Sequence, residues 1–163
     1  MSRPSQSTLA TSAHESRFRA PYPNSRSRTA SLIALDASSS ALVDRAVALV
    51  PERRRRIVLQ AYSGEAGWIA RLQAQAQALI DDVGRSDMLV MVAEAGNDAS
   101  EGVLLGEACK LRGVPVTVLL IAPESVPVAL VARTLAQLRP FSTMIVVANG
   151  PEYVEDMLTA LRT

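Results

Sequence analysis

The sequence is poor in the residues that build disulfides, metal sites and nucleophilic active sites. Its 163 residues include one cysteine, Cys109, and one histidine, His14. A single cysteine excludes an intramolecular disulfide and is typical of a reducing compartment. One cysteine and one histidine are too few for a zinc site within one chain. Because His14 precedes the regular part of the sequence, we expect no Ser-His or Cys-His catalytic pair, and we predict no catalytic residue.

Aromatic residues and long apolar runs are scarce as well. Aromatics make up 4% of the chain while hydrophobic residues make up 48%, so the core must be aliphatic. Few aromatics leave no platform for stacking the bases of a single strand, and nucleic acid is not an expected partner. No apolar run reaches the ~18 residues that cross a bilayer. The N-terminus also lacks the apolar segment of a secretory signal. The sequence therefore predicts a cytoplasmic protein without a membrane span.

Charge is distributed unevenly along the chain. Residues 1–30 hold five arginines and one acid, Glu15, whereas residues 31–163 are mildly acidic. The first 30 residues are rich in Ser, Arg and Pro and bury too little surface to offset their ordering entropy. We therefore predict a disordered basic tail over 1–30 and one domain over 31–163. The tail also has the composition of an organellar transit peptide, or of a basic arm that docks on an acidic partner.

From residue 31 onward, short apolar runs alternate with stretches of helical periodicity. Continuous apolar runs suit strands buried on both faces of a parallel sheet, and the helices between them predict βαβ units. The fold class we predict is a three-layer, Rossmann-like α/β domain with a mainly parallel five-stranded sheet. The predicted strands are Leu32–Leu35, Ile57–Ala61, Met88–Val92, Val116–Ile121 and Met144–Ala148. The predicted helices are Ala41–Val50, Gly67–Val83, Ser100–Arg112, Pro127–Arg139 and Pro151–Leu161.

Ligands of such sheets bind at the carboxyl ends of the strands, where helix N-termini attract anions. The loop after the first predicted strand, 36–40, lacks the glycines of a phosphate-binding loop, and Asp36 would repel a phosphate. We interpret its three serines chiefly as helix N-caps, with hydroxyl donation to a ligand as the alternative. Loops 62–67 and 94–102 keep two glycines each. The candidate ligand-binding residues are Ser38, Ser39, Ser40, Gly64, Gly67, Gly96, Asn97 and Gly102.

The loop 94–102 also concentrates three carboxylates, Glu94, Asp98 and Glu101. Beside a phosphate these charges would be costly unless a cation neutralised them, so a magnesium-dependent site is one interpretation. The interpretation we favour is that Asn97 or Asp98 caps the next helix and the acids complement its dipole. We therefore predict no metal site.

The region around this loop resembles the FtsZ/tubulin family. Residues 87–102, DMLVMVAEAGNDASEG, are similar to the family's central strand and glycine-rich loop, which reads roughly ADMVFITAGMGGGTGTG. Residues 138–149, LRPFSTMIVVAN, are similar to the family's L-R-x-x-x-D-T-L-I-V-I-P-N. Weaker similarity joins YSGEAG at 62–67 to the family's GAGGNPEVG, and residues 32–47 to either its first or its second strand. The resemblance covers residues 31–149.

Departures from the family pattern limit what this resemblance implies. The first loop has no glycine, the third keeps only Gly96 and Gly102, and the sequence ends before the family's catalytic acids. The resemblance therefore implies a degenerate, half-length relative that has lost GTP hydrolysis. Such a chain would be a non-enzymatic interaction or assembly-regulating module without a cofactor, partnered by itself or by an FtsZ-like protein. Weak binding of GTP or GDP with magnesium is the alternative within the family.

A different function stays open from the residues themselves. It is a small nucleotide- or phosphosugar-binding enzyme with a magnesium-dependent site at Glu94–Gly102. Outside the loops, Arg53–Arg56 precede the second predicted strand. We interpret them as a solvated loop at the amino edge of the sheet, or as a patch for phosphate or an acidic partner. Cys109 lies in a predicted helix, where a buried structural thiol is expected.

Overall fold

The computed structural model describes residues 28–58 and 68–160, which form one parallel sheet and its flanking helices. The strands are β1 Ala30–Ala34, β2 Arg54–Arg56, β3 Met88–Glu94, β4 Val116–Ile121 and β5 Met144–Ala148. The helices are α1 Ala37–Leu49, α2 Trp68–Gly84, α3 Ser100–Arg112, α4 Val128–Leu138 and α5 Pro151–Ala160, and a 3-10 turn, Arg139–Phe141, follows α4. The predicted tail up to residue 27 lies outside the described residues, as do Gly64 and Gly67.

The five strands are all parallel and lie in the order β2-β1-β3-β4-β5. On one face, side chains of α1 and α5 such as Val43 and Val154 pack on the sheet. On the other, side chains of α2, α3 and α4 such as Val83, Leu105 and Leu138 do so. The predicted three-layer, Rossmann-like α/β fold is confirmed. Strand order reverses between β1 and β3, so the switch point at which such folds bind ligands lies at the carboxyl ends of these two strands.

Local sequence explains the central strands and the end of α3. Residues 89–93 of β3 are at most 1% exposed, as expected for a continuous apolar run covered by helices on both faces. Helix α3 ends at Gly113, whose φ of +66° is left-handed and whose N–H bonds back to the carbonyl oxygens of Cys109 and Lys110. A glycine adopts this conformation without the steric cost that a Cβ adds. The stop predicted at Gly113 is confirmed.

The start of the domain is tied to the start of β3. The backbone N–H of Thr29 and its hydroxyl both donate to the Asp87 carboxylate, the N–H at 2.8 Å. Strand β1 then begins at Ala30, one residue before the predicted domain boundary. None of the helices in the described part of the chain has the length and apolar character needed to cross a membrane.

The second strand was predicted in the wrong place. We expected it at Ile57–Ala61, but β2 consists of Arg54–Arg56, with Arg54 level with Ala30 of β1. The backbone N–H of Ile57 still donates to the carbonyl oxygen of Leu32 at 2.9 Å. The rest of the predicted strand, residues 59–61, lies outside the described residues. Arg53–Arg56 were expected in a solvated loop, or as a patch for phosphate or an acidic partner. The structure overturns this expectation for Arg54 and Arg56, because β2 is an edge strand in which these two arginines have hydrogen-bond partners.

Two of these arginines fasten β2 to the helices beside it. Arg54 is 5% exposed and donates to the carbonyl oxygens of Ala46 at 2.9 Å and Leu158 at 2.6 Å, in the last turns of α1 and α5. A positive charge at two helix C-termini complements both dipoles. Arg56 donates to the Ser40 carbonyl at 3.1 Å and forms an ion pair with Asp44.

Candidate functional site

The strand switch point is occupied by the side chain of Asp36, the first residue after Leu35 at the end of the β1 segment. Its carboxylate accepts hydrogen bonds from the backbone N–H of Ser39 at 2.8 Å and from the hydroxyl of Ser38 at 2.6 Å. The other carboxylate oxygen accepts from the backbone N–H of Glu94 at 2.6 Å. One carboxylate therefore caps α1 and also joins it to the carboxyl end of β3.

The electrostatics of this site keep Asp36 ionised. Burial alone would raise the pKa of Asp36, but the hydrogen bonds from Ser38, Glu94 and Ser39 together outweigh it and hold the pKa below its ordinary value. Backbone N–H groups at a helix N-terminus form a ready site for an anion. Here the anion that accepts from the N–H groups of Ser39 and Glu94 is the carboxylate of Asp36, a residue of the chain itself.

The three serines predicted as N-caps serve other purposes, because Asp36 takes the capping position and α1 begins at Ala37 instead of Ala41. The hydroxyl of Ser38 donates a hydrogen bond to the Asp36 carboxylate. Ser39 is fully buried, and its Oγ has no hydrogen-bond partner among the described residues. Ser39 contacts Asp36 through its backbone N–H instead. Ser40 accepts from Arg56 through both its carbonyl and its hydroxyl, at 3.1 and 2.8 Å.

The loop after β3 is fastened to α4 rather than left open. Gly96 has a left-handed φ of +97°, and its N–H donates to the Thr134 hydroxyl at 3.3 Å. Asn97 reaches the first loop, where its side-chain amide lies 3.5 Å from the hydroxyl of Ser38. Of the predicted residues, the structure thus brings Ser38, Ser39 and Asn97 around Asp36, with Gly96 alongside.

Gly102 does not face this site. It lies in the first turn of α3, and a Cβ built on it would come within 2.6 Å of the Leu138 side chain and 2.9 Å of the Leu35 side chain. The close approach of the helix to these leucines explains the glycine without a ligand.

Two carboxylates of the loop 94–102, those of Asp98 and Glu101, lie at the start of α3. Asp98 accepts from both the backbone N–H and the hydroxyl of Ser100 at 3.0 Å, and these bonds lower its pKa. Burial, followed by the charge of Asp98, raises the pKa of Glu101. The cap itself was predicted wrongly, because the N-cap of α3 is Ala99, without a side-chain hydrogen bond, and neither Asn97 nor Asp98 takes that position. Asp98 lies one residue earlier and accepts from the first residue of the helix, Ser100. Within 28–58 and 68–160, no three His, Cys, Asp or Glu side chains are placed to share a metal ion.

An open cavity of about 350 Å³ adjoins this loop. It is bounded by the loop residues Gly96, Asn97 and Asp98 and by three residues of α4, Arg133, Thr134 and Gln137. Arg133 forms no ion pair with another residue of the described chain, although its charge contributes to the lowered pKa of Asp98. No local pattern indicates the α4 residues, because they meet the loop only through tertiary packing, and Thr134 lies 38 residues after Gly96.

Comparison with known proteins assigns no family to this chain. No protein-family model matches the chain, and no curated protein matches it. Among solved structures it is similar to a pilus assembly-related protein from Burkholderia pseudomallei, at 20% identity and a TM-score of 0.45, over 82% of this chain and 89% of that one. A likeness at this level assigns neither a family nor a function.

Proposed function

We propose that this chain is a non-enzymatic interaction or assembly-regulating module, built on a degenerate FtsZ/tubulin-like nucleotide-binding fold that has lost GTP hydrolysis. The observation that supports this best is the Asp36 carboxylate at the switch point. It already holds the N–H groups of Ser39 and Glu94, at 2.8 and 2.6 Å. Those are the donors that a phosphate would otherwise take.

A nucleotide phosphate at this position would meet two costs. It would have to displace a carboxylate that holds three hydrogen bonds, two of them from backbone N–H groups of α1 and β3. A donor or acceptor left without a partner in a buried place costs about 1–3 kcal/mol. The phosphate would also be repelled by the carboxylate charge, since like charges at short range disfavour each other. The site therefore favours the state in which Asp36 itself accepts from these N–H groups.

The reactive groups near the sheet support the same proposal. Cys109 is 1% exposed, and burial raises the pKa of its thiol to about 12, so it is no nucleophile at neutral pH. Exposed apolar side chains offer contact surface instead. Leu111 is 72% exposed, Val128 84% and Tyr153 57%. A protein partner, or a second copy of the chain, is the ligand we propose.

The first experiment is a thermal-shift titration of the full chain with GTP, GDP and ATP, each with and without magnesium. A ligand at ~100 times its dissociation constant adds ~2.7 kcal/mol and moves the melting temperature by several degrees. We expect no shift. A guanine-selective, magnesium-dependent shift would overturn the proposal.

A matched variant makes that experiment sharper. Asp36→Ala removes the internal anion and uncovers the N–H groups of Ser39 and Glu94. Inorganic phosphate should then raise the melting temperature of the variant more than that of the wild type. Equal shifts in both proteins would mean that Asp36 does not fill an anion site.

The second candidate is the small nucleotide- or phosphosugar-binding enzyme with its magnesium-dependent site at Glu94–Gly102. The cavity of about 350 Å³ beside this loop, with the guanidinium of Arg133 on its wall, is the observation that favours it. A magnesium-dependent shift with fructose 6-phosphate that Arg133→Ala abolishes would support this candidate. The same shift in wild type and variant would count against it.

A further inference from the structure

The two edges of the sheet are built differently. At one edge, β2 is three residues long and consists entirely of arginine. At the other edge, β5 is five residues long, with the sequence MIVVA. Short length and charged side chains protect an edge strand from pairing with another chain. By this criterion β2 is protected, and β5, which has neither a charge nor a proline, is open to pairing.

Strand β5 is also incompletely covered. Every residue of its neighbour β4 is buried, but Met144 is 44% exposed and Val147 47% exposed. Side chains alternate along β5, so Val147 lies on the face of Ile145, beside α4, and Met144 lies on the face of Val146, beside α5. Neither helix covers these two side chains fully. In the part of the chain that the structure describes, no strand pairs with the outer edge of β5.

We propose that β5 pairs with β5 of a second copy of this chain, antiparallel and across a two-fold axis, so that two sheets join into one of ten strands. The inference rests on the proposed interaction role and names its partner. An edge strand related to itself by a two-fold axis forms an isologous interface, in which one patch serves both copies. Each exposed aliphatic side chain of β5 then meets another aliphatic side chain, with no like charges opposed.

Charge near the ends of the strand favours a second copy in this direction. Arg139 precedes β5 and Glu152 follows it, and both are exposed. Antiparallel pairing brings the positive end of one copy level with the negative end of the other. Parallel pairing would bring ends of like charge together, which is unfavourable. The charges at the two ends of β5 therefore favour antiparallel over parallel pairing with a second copy.

The test is sedimentation velocity on the full chain over a range of concentrations, with a matched pair of variants. Val147→Lys places a lysine from each copy at the seam. Val58→Lys is the control, because Val58 is 67% exposed and follows the opposite edge strand, β2. We expect a monomer–dimer equilibrium in the wild type and the control, and a dissociation constant at least about tenfold weaker in Val147→Lys.

A second variant and a hydrogen-exchange measurement test whether the pairing itself, and not the fold, is changed. Val147→Thr keeps a β-branched, uncharged side chain and should dimerise like the wild type. This result separates loss of pairing from loss of folding. Amide hydrogen exchange of the wild type should show protection of Met144–Ala148 that grows with protein concentration, while Arg54–Arg56 stay unchanged.

Three outcomes overturn the proposal: a wild type that stays monomeric, equal weakening by the two lysine variants, or a dimer without added protection of β5. These are distinguishable from failure of the proposed function, which would appear as nucleotide binding in the thermal-shift titration. A monomeric wild type that binds no nucleotide would remove the second copy as partner and leave the interaction role to a different protein.

Discussion

At the scale of single residues, Asp36 is the residue that joins the loops at the switch point. In a phosphate-binding loop its position would carry a small residue, so that backbone N–H groups remain free for the ligand. Here its carboxylate accepts from the N–H groups of Ser39 and Glu94 and from the Ser38 hydroxyl. The same residue therefore caps α1 and joins the carboxyl ends of β1 and β3.

Asp36 also makes stability depend on pH. Its pKa in the folded chain is lowered, so the unfolded chain takes up the proton first as the pH falls. The stabilisation is fully present above the unfolded pKa of about 3.9 and is lost as the pH falls through the folded value. We expect the wild type to lose more free energy of unfolding than Asp36→Asn over this window, in urea titrations at a series of pH values. Parallel pH profiles for the two proteins would contradict the assignment.

At the scale of elements, β2 shows how an arginine-rich segment becomes part of a sheet. Its middle residue, Arg55, is exposed, whereas Arg54 is buried between the ends of α1 and α5. Burial lowers the pKa of Arg54, but a guanidinium stays protonated in proteins. The charge is retained because two carbonyl oxygens and two helix dipoles compensate for its burial.

The arginines of β2 offer a matched pair of variants. Arg54→Ala should lower the free energy of unfolding by at least about 2 kcal/mol, because hydrogen bonds from a charged donor contribute about 1.5–3 kcal/mol. Arg55→Ala should change it by less than about 0.5 kcal/mol, as is usual at an exposed position. Urea denaturation measures both. Similar losses in the two variants would mean that the buried contacts of Arg54 contribute little.

At the scale of the whole molecule, two apolar layers share one sheet, and we expect them to unfold together with it. Leu119 of β4 is fully buried and belongs to the cluster on the α1 and α5 face. Leu119→Ala should lower the free energy of unfolding by about 2–5 kcal/mol in one cooperative transition. Leu111→Ala, at a leucine that is 72% exposed, is the control and should cost less than about 0.5 kcal/mol. Two separate transitions would show that the layers unfold independently.

The sequence by itself determined the central architecture. Strands β4 and β5 and helix α3 were predicted to the residue, because apolar runs, glycine stops and proline breaks are local signals. The α/β class followed from the alternation of these elements. The start of α1 and the position of β2 were predicted wrongly. Local sequence patterns favoured the serines 38–40 as helix N-caps and the arginines 53–56 as a loop.

Only the tertiary structure decided how the site is filled and how β2 is held. The bond from the N–H of Glu94 to Asp36 spans 58 residues, and the bond from Arg54 to Leu158 spans 104. Such contacts form because buried polar groups must find partners, wherever the fold brings one within reach. No local pattern records which partner that is. For the same reason, the sequence predicts that MIVVA is a strand, but only the strand order places it at an edge that no other strand of the described residues covers.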